Sequence, residues 1–340
     1  MQYKLFGNSG LRVSEVSLGT ITFGTDWGWG ADEKECRSMF DTYANAGGNF
    51  IDTANRYTEG SSERIVGDCI KSDRDHFVVA TKYTFFDRKG DVNFSGNHRK
   101  NMMRSVHESL KRLNTEYIDV LWLHAWDFLT PVEEVMRGLD DLVRAGKVHY
   151  LGISDTPAWI VARANTIAEL RGWTAFCGLQ VEYSLLERTP ERELIPMAKS
   201  LGMTVTPWGP LGAGVLTGKY LRGEKGRVSA TSGQLSERSN RIASEVVASA
   251  GKMGVNPAQL ALRWTMQQEF SSVPIVGSSN SKQLQDSLGA LDVTIPDDIM
   301  KQLDETSRID HGFPHEFLSM KDTRNVIYGG MLDRIVQDKV

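Results

Sequence analysis

Short apolar runs recur along this chain, each stopping abruptly in polar residues. Most are followed by a longer stretch whose apolar positions fall three or four apart. The first pattern is that of a buried strand and the second that of an amphipathic helix. Residues 3–5 and 11–13 flank Gly7-Asn8-Ser9-Gly10, which predicts a β-hairpin at the entrance. Strands are then predicted at 16–18, 49–52, 77–81, 117–123, 148–153, 177–181, 203–206 and 272–276. Helices are predicted at 32–46, 61–70, 98–113, 132–144, 157–170, 191–201, 239–251, 258–268 and 281–290. The helical period is clearest in Met102, Met103, Val106, Leu110 and Leu113, and in Val132, Val135, Met136, Leu139 and Val143. Asp32 reads as an N-cap, and Pro157 stands where a first turn accepts proline.

Eight strand-like runs separated by helices imply a parallel sheet, and that number suggests a closed (β/α)8 TIM barrel of class α/β, with the N-terminal β-hairpin ahead of it. A doubly wound open sheet is the alternative. It would carry Gly-x-Gly-x-x-Gly after its first strand, whereas this chain has Gly19-Thr20-Ile21-Thr22-Phe23-Gly24. No Pro-, Gly- or Ser-rich linker divides the chain, so 1–340 reads as one domain with a C-terminal tail at 310–340.

Composition narrows the partners. A formal charge of −4 with dispersed Lys and Arg argues for neither nucleic acid nor membrane. No apolar run approaches the roughly 20 residues a bilayer crossing needs. The first residues lack the apolar core of a signal peptide, and Cys36, Cys69 and Cys177 are odd in number and far apart. Reduced thiols in a cytoplasmic protein are the expectation.

In such a barrel the chemistry lies where the strands end. Those positions are Thr20, Asp52, Lys82, His124, Ser154-Asp155, Gln180, Trp208 and Gly277, and Tyr57 follows Asp52 by five residues in the next loop. A lysine closing a buried strand needs a partner, and Asp52 on the neighbouring strand offers a carboxylate. An ion pair alone does not explain why His124 and Tyr57 converge on it. Metal spacing around His124 and a Gly-x-Ser-x-Gly elbow are both absent. Together the four make a proton donor. Tyr57 is a weak acid whose pKa of about 10 a nearby ammonium is expected to lower. Asp52 holds Lys82, and His124 orients an incoming carbonyl.

Over roughly residues 3–309 the chain resembles the aldo-keto reductases. The resemblance is carried by Gly-Gly-Asn-Phe-Ile-Asp-Thr-Ala-Asn-Arg-Tyr at 47–57, Ala-Thr-Lys at 80–82, Ser-Leu-Lys-Arg-Leu-Asn-Thr-Glu-Tyr-Ile-Asp at 109–119 and Gly-Lys-Val-His-Tyr-Leu-Gly-Ile-Ser at 146–154. Gln-Val-Glu-Tyr-Ser at 180–184 and Trp-Gly-Pro-Leu-Gly-Ala-Gly-Val-Leu-Thr-Gly-Lys-Tyr at 208–220 complete it. The pattern is nearest to the channel β-subunit-like and aryl-alcohol dehydrogenase-like branches. The family's catalytic tetrad matches Asp52, Tyr57, Lys82 and His124 without substitution. The resemblance implies a hydride-transferring reductase of aldehydes or ketones, with NADP(H) as cofactor and NAD as the alternative.

Cofactor contacts implied in the same way are Thr20, Asp52, Ser154, Asp155, Gln180 and Trp208 at the nicotinamide end. Pro210, Leu211, Gly212 and Lys219 belong to the loop over the pyrophosphate. Gly277, Ser279, Gln283 and Ser287 serve the adenosine end. Asp155 replaces the common Asn, so its contact to the carboxamide is weakened or reversed. Ser279 stands where many relatives carry Arg, which predicts a reduced NADPH preference sustained by Ser279 and free N–H groups at a helix N-terminus, with charge from Lys282 or Lys219. Trp27, Trp29, Tyr83 and Trp126 are expected to line a pocket suited to aromatic or apolar carbonyls. The tail is expected to close that pocket or meet another subunit. The same resemblance covers potassium-channel β-subunits, so a cofactor-binding regulatory subunit is the second reading. The start of the chain at the hairpin, without an added partner segment, favours the enzyme. A cofactor-free barrel lyase or isomerase is a third reading, and Trp208-Gly-Pro-Leu argues against it.

Overall fold

The computed structural model describes residues 1–226, 228 and 235–336, so the last four residues of the expected tail lie outside the described part. Strands β1 (Tyr3–Leu5) and β2 (Arg12–Ser14) pair antiparallel as the entrance hairpin. The alternation then runs β3 (Ser17–Gly19), α1 (Glu33–Asn45), β4 (Phe50–Asp52), α2 (Ser61–Ile70), β5 (Val78–Tyr83), α3 (Arg99–Leu113), β6 (Ile118–Leu123) and α4 (Val132–Arg144). It continues through β7 (Val148–Ser154), α5 (Ala158–Arg171), β8 (Phe176–Glu182), α6 (Leu194–Ser200), β9 (Thr204–Trp208), α7 (Glu237–Met253), α8 (Pro257–Met266), β10 (Ile275–Gly277) and α9 (Ser281–Leu288). Helices α10 (Asp297–Ser307), α11 (His315–Ser319) and α12 (Lys321–Ile327) follow, none of them anticipated from the sequence. Their apolar positions are too few to show a period: α10 buries Ile299 and Leu303, and α11 and α12 bury nothing.

The eight barrel strands are parallel in the order β10-β3-β4-β5-β6-β7-β8-β9. Closure between β9 and β10 is thin, a single parallel bridge from Val205 to Ser272. The last strand was expected at 272–276. Pro274 has no N–H to give to a ladder, so the strand proper begins after it, at Ile275. The Pro274 carbonyl still accepts from Ser17 N (2.9 Å). No helix among the described residues is long and apolar enough to cross a membrane.

Strand alternation sorts the side chains into two layers. Phe50, Val78, Ala80, Val120, Trp122 and Val273 point into the barrel, and Phe6 from the hairpin plugs its floor. Phe6 meets Phe50 and Trp122 edge-on at 5.6 and 6.0 Å. Gly178 makes room for this cluster, because a Cβ there would come within 2.9 Å of the Trp122 ring. Ile51, Val79, Leu121, Leu123, Ile153 and Leu179 face the helices instead. Each such fully buried side chain contributes roughly 1.5–3 kcal/mol of transfer free energy. With the floor filled by rings, only the opposite end, where the strands stop, is left for polar groups.

Candidate active site

Asp52 ends β4 and Lys82 lies near the end of β5, both pointing into the barrel; Lys82 is fully buried. The Lys82 ammonium donates to Asp52 Oδ2 and to the Thr53 carbonyl (2.8 Å). The other carboxylate oxygen accepts from Gln180 Nε2 at 2.9 Å, and so ties β8 to β4 across the mouth. Burial pushes the Lys82 pKa down, but the charges of Asp52 and Tyr57 outweigh it and the net shift is upward. Thr20 is turned away from a ligand role. Its hydroxyl lies 3.0 Å from the Asp52 carbonyl and 2.8 Å from Ser62 Oγ, so it fixes the strand end rather than facing the mouth.

Tyr57 is carried in from the loop by strained backbone. Thr58 and Glu59 both adopt left-handed conformations, at φ 45° and 54°, which for a β-branched residue is costly. Thr58 Oγ1 holds the turn by donating to the Phe23 carbonyl (2.5 Å) and accepting from Ser62 N (3.1 Å). The result is a phenol ring 4.7 Å from Lys82 Nζ, measured to the ring centroid. Lys82 pulls the phenol pKa down as the sequence predicts, but burial is the larger effect and the net shift is upward. That corrects the expected direction. His124, the residue after β6, is buried between Tyr57 (6.1 Å, edge-on) and Phe85 (4.1 Å). Burial, then Lys82, holds its pKa well below the usual histidine range, so the ring is neutral. Its Nδ1 is sealed in without a hydrogen-bond partner among the described residues.

The ends of β7, β8 and β9 form the other half of the mouth. Ser154 is in register with Gln180, and its buried hydroxyl lies beside the Asp155 carboxylate and favours that carboxylate's charged form. Asp155 adopts a left-handed φ of 40° and accepts the Trp208 indole N–H on Oδ1 (3.2 Å). Trp208 is half-buried, with Glu182 opposite it in register on β8. Glu182 and the Gln180–Asp52 bond were not foreseen. The first lies in the 180–184 motif but was given no role there, and the second joins residues 128 apart.

The expected phosphate end is built differently from the expectation. Gly277 ends β10, and Ser279 and Gln283 are exposed at the start of α9. Three of the N–H groups there already have partners. Gln283 N is capped by Asn280 Oδ1 (2.9 Å), Ser279 N donates to Gln283 Oε1 (3.2 Å), and Ser281 N donates to Glu35 Oε1 (2.5 Å). Glu35 belongs to α1 and went unnoticed in the sequence. Ser287 is buried on α9. Pro210 is buried and Leu211 half-buried. Gly212, Ala213 and Gly214 run consecutively at positive φ, and Lys219 Nζ folds back against Gly214.

Around the rim, Trp27 and Trp29 lie 5.5 Å apart, and Trp27 Nε1 donates to Glu59 (2.9 Å). Arg56, also missed, stacks its guanidinium on Phe86 at 4.5 Å. Tyr83 is not part of this rim. It follows Lys82 on β5, so it points to the opposite face, where it is fully buried among the helices. Beyond Phe85, the loops after β5 and β6 enclose a mainly apolar cavity of about 580 Å3, lined by Phe85, Phe86, Val92, Trp126 and Leu129. His98 lines it too, its Nε2 without a hydrogen-bond partner among the described residues. Val92 and Leu129 are 86% and 89% exposed at its lip. No cluster of potential metal ligands occurs among the described residues.

Comparison with known proteins points the same way. The model of the aldo/keto reductase family matches residues 15–308. A norsolorinic acid reductase of Aspergillus flavus is 37% identical over 94% of this chain and 84% of its own. The norsolorinic acid reductase stcV of Emericella nidulans is 39% identical over 91% of this chain and 82% of its own. An NADP(+) aryl-alcohol dehydrogenase of Phanerodontia chrysosporium is 35% identical over 94% and 89%.

Proposed function

The chain belongs to the aldo/keto reductase family, and from that premise we propose that it reduces aromatic aldehydes or ketones with NADPH, Tyr57 giving the proton. The observation that carries this is the convergence of a half-buried phenol and a neutral imidazole on the paired Lys82 ammonium. The mouth suits a nicotinamide. The Ser154 hydroxyl and Gln180, in register at the strand ends, offer groups to a carboxamide, and the half-buried Trp208 offers a flat face. Bound there, the reduced cofactor supplies hydride to the carbonyl carbon.

The residues of the chain do the rest. Tyr57 and His124 bind the carbonyl oxygen and orient it. The raised pKa of Tyr57 keeps its proton in place at neutral pH. An alkoxide is a far stronger base than a phenolate, so the proton passes from Tyr57 Oη as charge develops on that oxygen. Lys82 then stabilises the phenolate, and Asp52 with Gln180 keeps Lys82 aimed. His124 stays neutral and hydrogen-bonds without adding charge.

The substrate's apolar part lies under the Trp27–Trp29 rim, with the cavity behind Phe85 open to further rings. Relatives named for aryl alcohols and for norsolorinic acid support an aromatic substrate. One relative is named for NADP(+), but the seat of the extra phosphate is weakly cationic here. Glu35 already occupies the start of α9, and the charge is left to Lys282, beside Ser281, or Lys219, in the loop after β9. The NADPH preference is therefore modest. No observation favours the channel-subunit reading. A screen of aldehydes and ketones followed by nicotinamide absorbance tests the proposal, with Tyr57→Phe as control. That variant should bind NADPH and lose turnover. Residual activity above about a hundredth of the parent rate refutes Tyr57 as the acid.

A further inference from the structure

The mouth carries more negative charge than carbonyl reduction requires. Asp155, just past β7, and Glu182, ending β8, lie on neighbouring strands beside Trp208 on β9: Glu182 is in register with it, and Asp155 accepts its indole N–H. Neither has an ion-pair partner among the described residues, and Glu182 makes no side-chain hydrogen bond there. Lys82 acts on Asp155 only through space, since its ammonium is already bonded to Asp52 and the Thr53 carbonyl. The Asp155 backbone is held on both sides, and its carboxylate by one contact. Its N–H donates to the Gln180 carbonyl (3.4 Å), its own carbonyl accepts from Trp126 N (3.4 Å), and Oδ1 accepts from the indole. Unpaired carboxylates in a partly dry site are unfavourable unless a cation arrives. Two further features call for a ligand at this spot. Ser154, adjoining Asp155, is 1% exposed, and its register with Gln180 aims its hydroxyl into the barrel mouth beside that carboxylate. The face of an indole attracts cations.

We propose that Asp155 and Glu182 make this mouth select the oxidised, positively charged nicotinamide over the reduced, neutral one. The inference rests on the reading above that the nicotinamide lies against Trp208. The two cofactor forms differ by one hydride, and with it by the positive charge on the ring. Adenosine, phosphates and carboxamide are the same in both, so their contacts cancel in the ratio of dissociation constants. A neutral asparagine at 155 treats the rings alike, whereas a carboxylate favours only the cation. Lys82 does not reverse this, because Asp52 neutralises it within the same hydrogen bond.

The test is a fluorescence titration of the protein tryptophans with NADP+ and, separately, with NADPH, at about pH 8, on the alkaline side because burial raises the pKa of both carboxylates. Parent, Asp155→Asn and Glu182→Gln are compared. Asparagine keeps an oxygen for the Trp208 indole, so the indole contact survives the substitution. In the parent the oxidised form should bind more tightly. Asp155→Asn should weaken NADP+ by about tenfold, or 1.4 kcal/mol, and leave NADPH nearly unchanged. Glu182→Gln should act in the same sense. Ratios that stay within about twofold of the parent in both variants overturn the charge selection while the cofactor reading stands. A parent that binds neither form overturns the cofactor reading, and this inference with it.

Discussion

Asp52→Asn tests the buried pair on which the site depends. Asparagine keeps the shape of the side chain and can still accept from Gln180, so what is removed is one negative charge. Lys82 has no exposed surface, and its remaining contacts are the Thr53 carbonyl and Tyr57. An ammonium left uncompensated in such a place costs roughly 3–5 kcal/mol, a large share of the 5–15 kcal/mol typical of a folded domain. The pH dependence has a distinctive sign. In the parent, the native pKa of Lys82 is raised above its unfolded value of about 10.4. Its contribution is complete below that value and is lost as pH rises through the native pKa. In the variant, burial acts unopposed and drives the native pKa below the unfolded one. The unfolded chain then binds a proton the native state lacks, so stability climbs with pH between the two values. Urea unfolding at about pH 7 and about pH 9.5 measures both. We expect a deficit of about 3–5 kcal/mol at the lower pH that narrows at the higher. Asp52→Asn with Lys82→Met should recover most of the loss but no activity. A deficit under about 1 kcal/mol, or stabilities that run parallel across the two pH values, would show that the pair is not what holds Lys82.

Glu35→Gln should raise kcat/KM for NADPH relative to NADH several-fold, because the carboxylate at Ser281 N–H competes with a phosphate at the same helix end. Ser279→Arg should raise it further by adding a bidentate clamp. An unchanged cofactor ratio in both variants would place the phosphate elsewhere. The kcat/KM profile should show no inflection in the usual histidine range near pH 6.5, since His124 is neutral throughout it; an inflection there that disappears in His124→Gln would contradict this. Alanine at both Trp27 and Trp29 should lower kcat/KM for a nitrobenzaldehyde more than for glyceraldehyde, and equal losses would remove the rim from substrate choice.

The sequence alone determined the features that depend on local period. Strands announce themselves as short apolar runs and helices by their three-to-four spacing, because each reflects which backbone geometry buries a continuous apolar face. Asp52, Lys82 and His124 were therefore readable as strand-end residues before any contact was known. Tyr83 was readable as well. Strand alternation sends it opposite to Lys82, and its assignment to the substrate rim overlooked that rule. Other features had no local signature. Glu35 reaches Ser281 across 246 residues only because α1 and α9 pack side by side. Glu182 and Asp155 share a mouth only because β7, β8 and β9 pair in one particular register. The rise in the Tyr57 pKa belongs to the fold too. Its neighbour Lys82 was visible in the sequence, but how much water the folded site excludes was not. Desolvation depends on everything that surrounds a group in three dimensions, and no stretch of chain encodes that by itself.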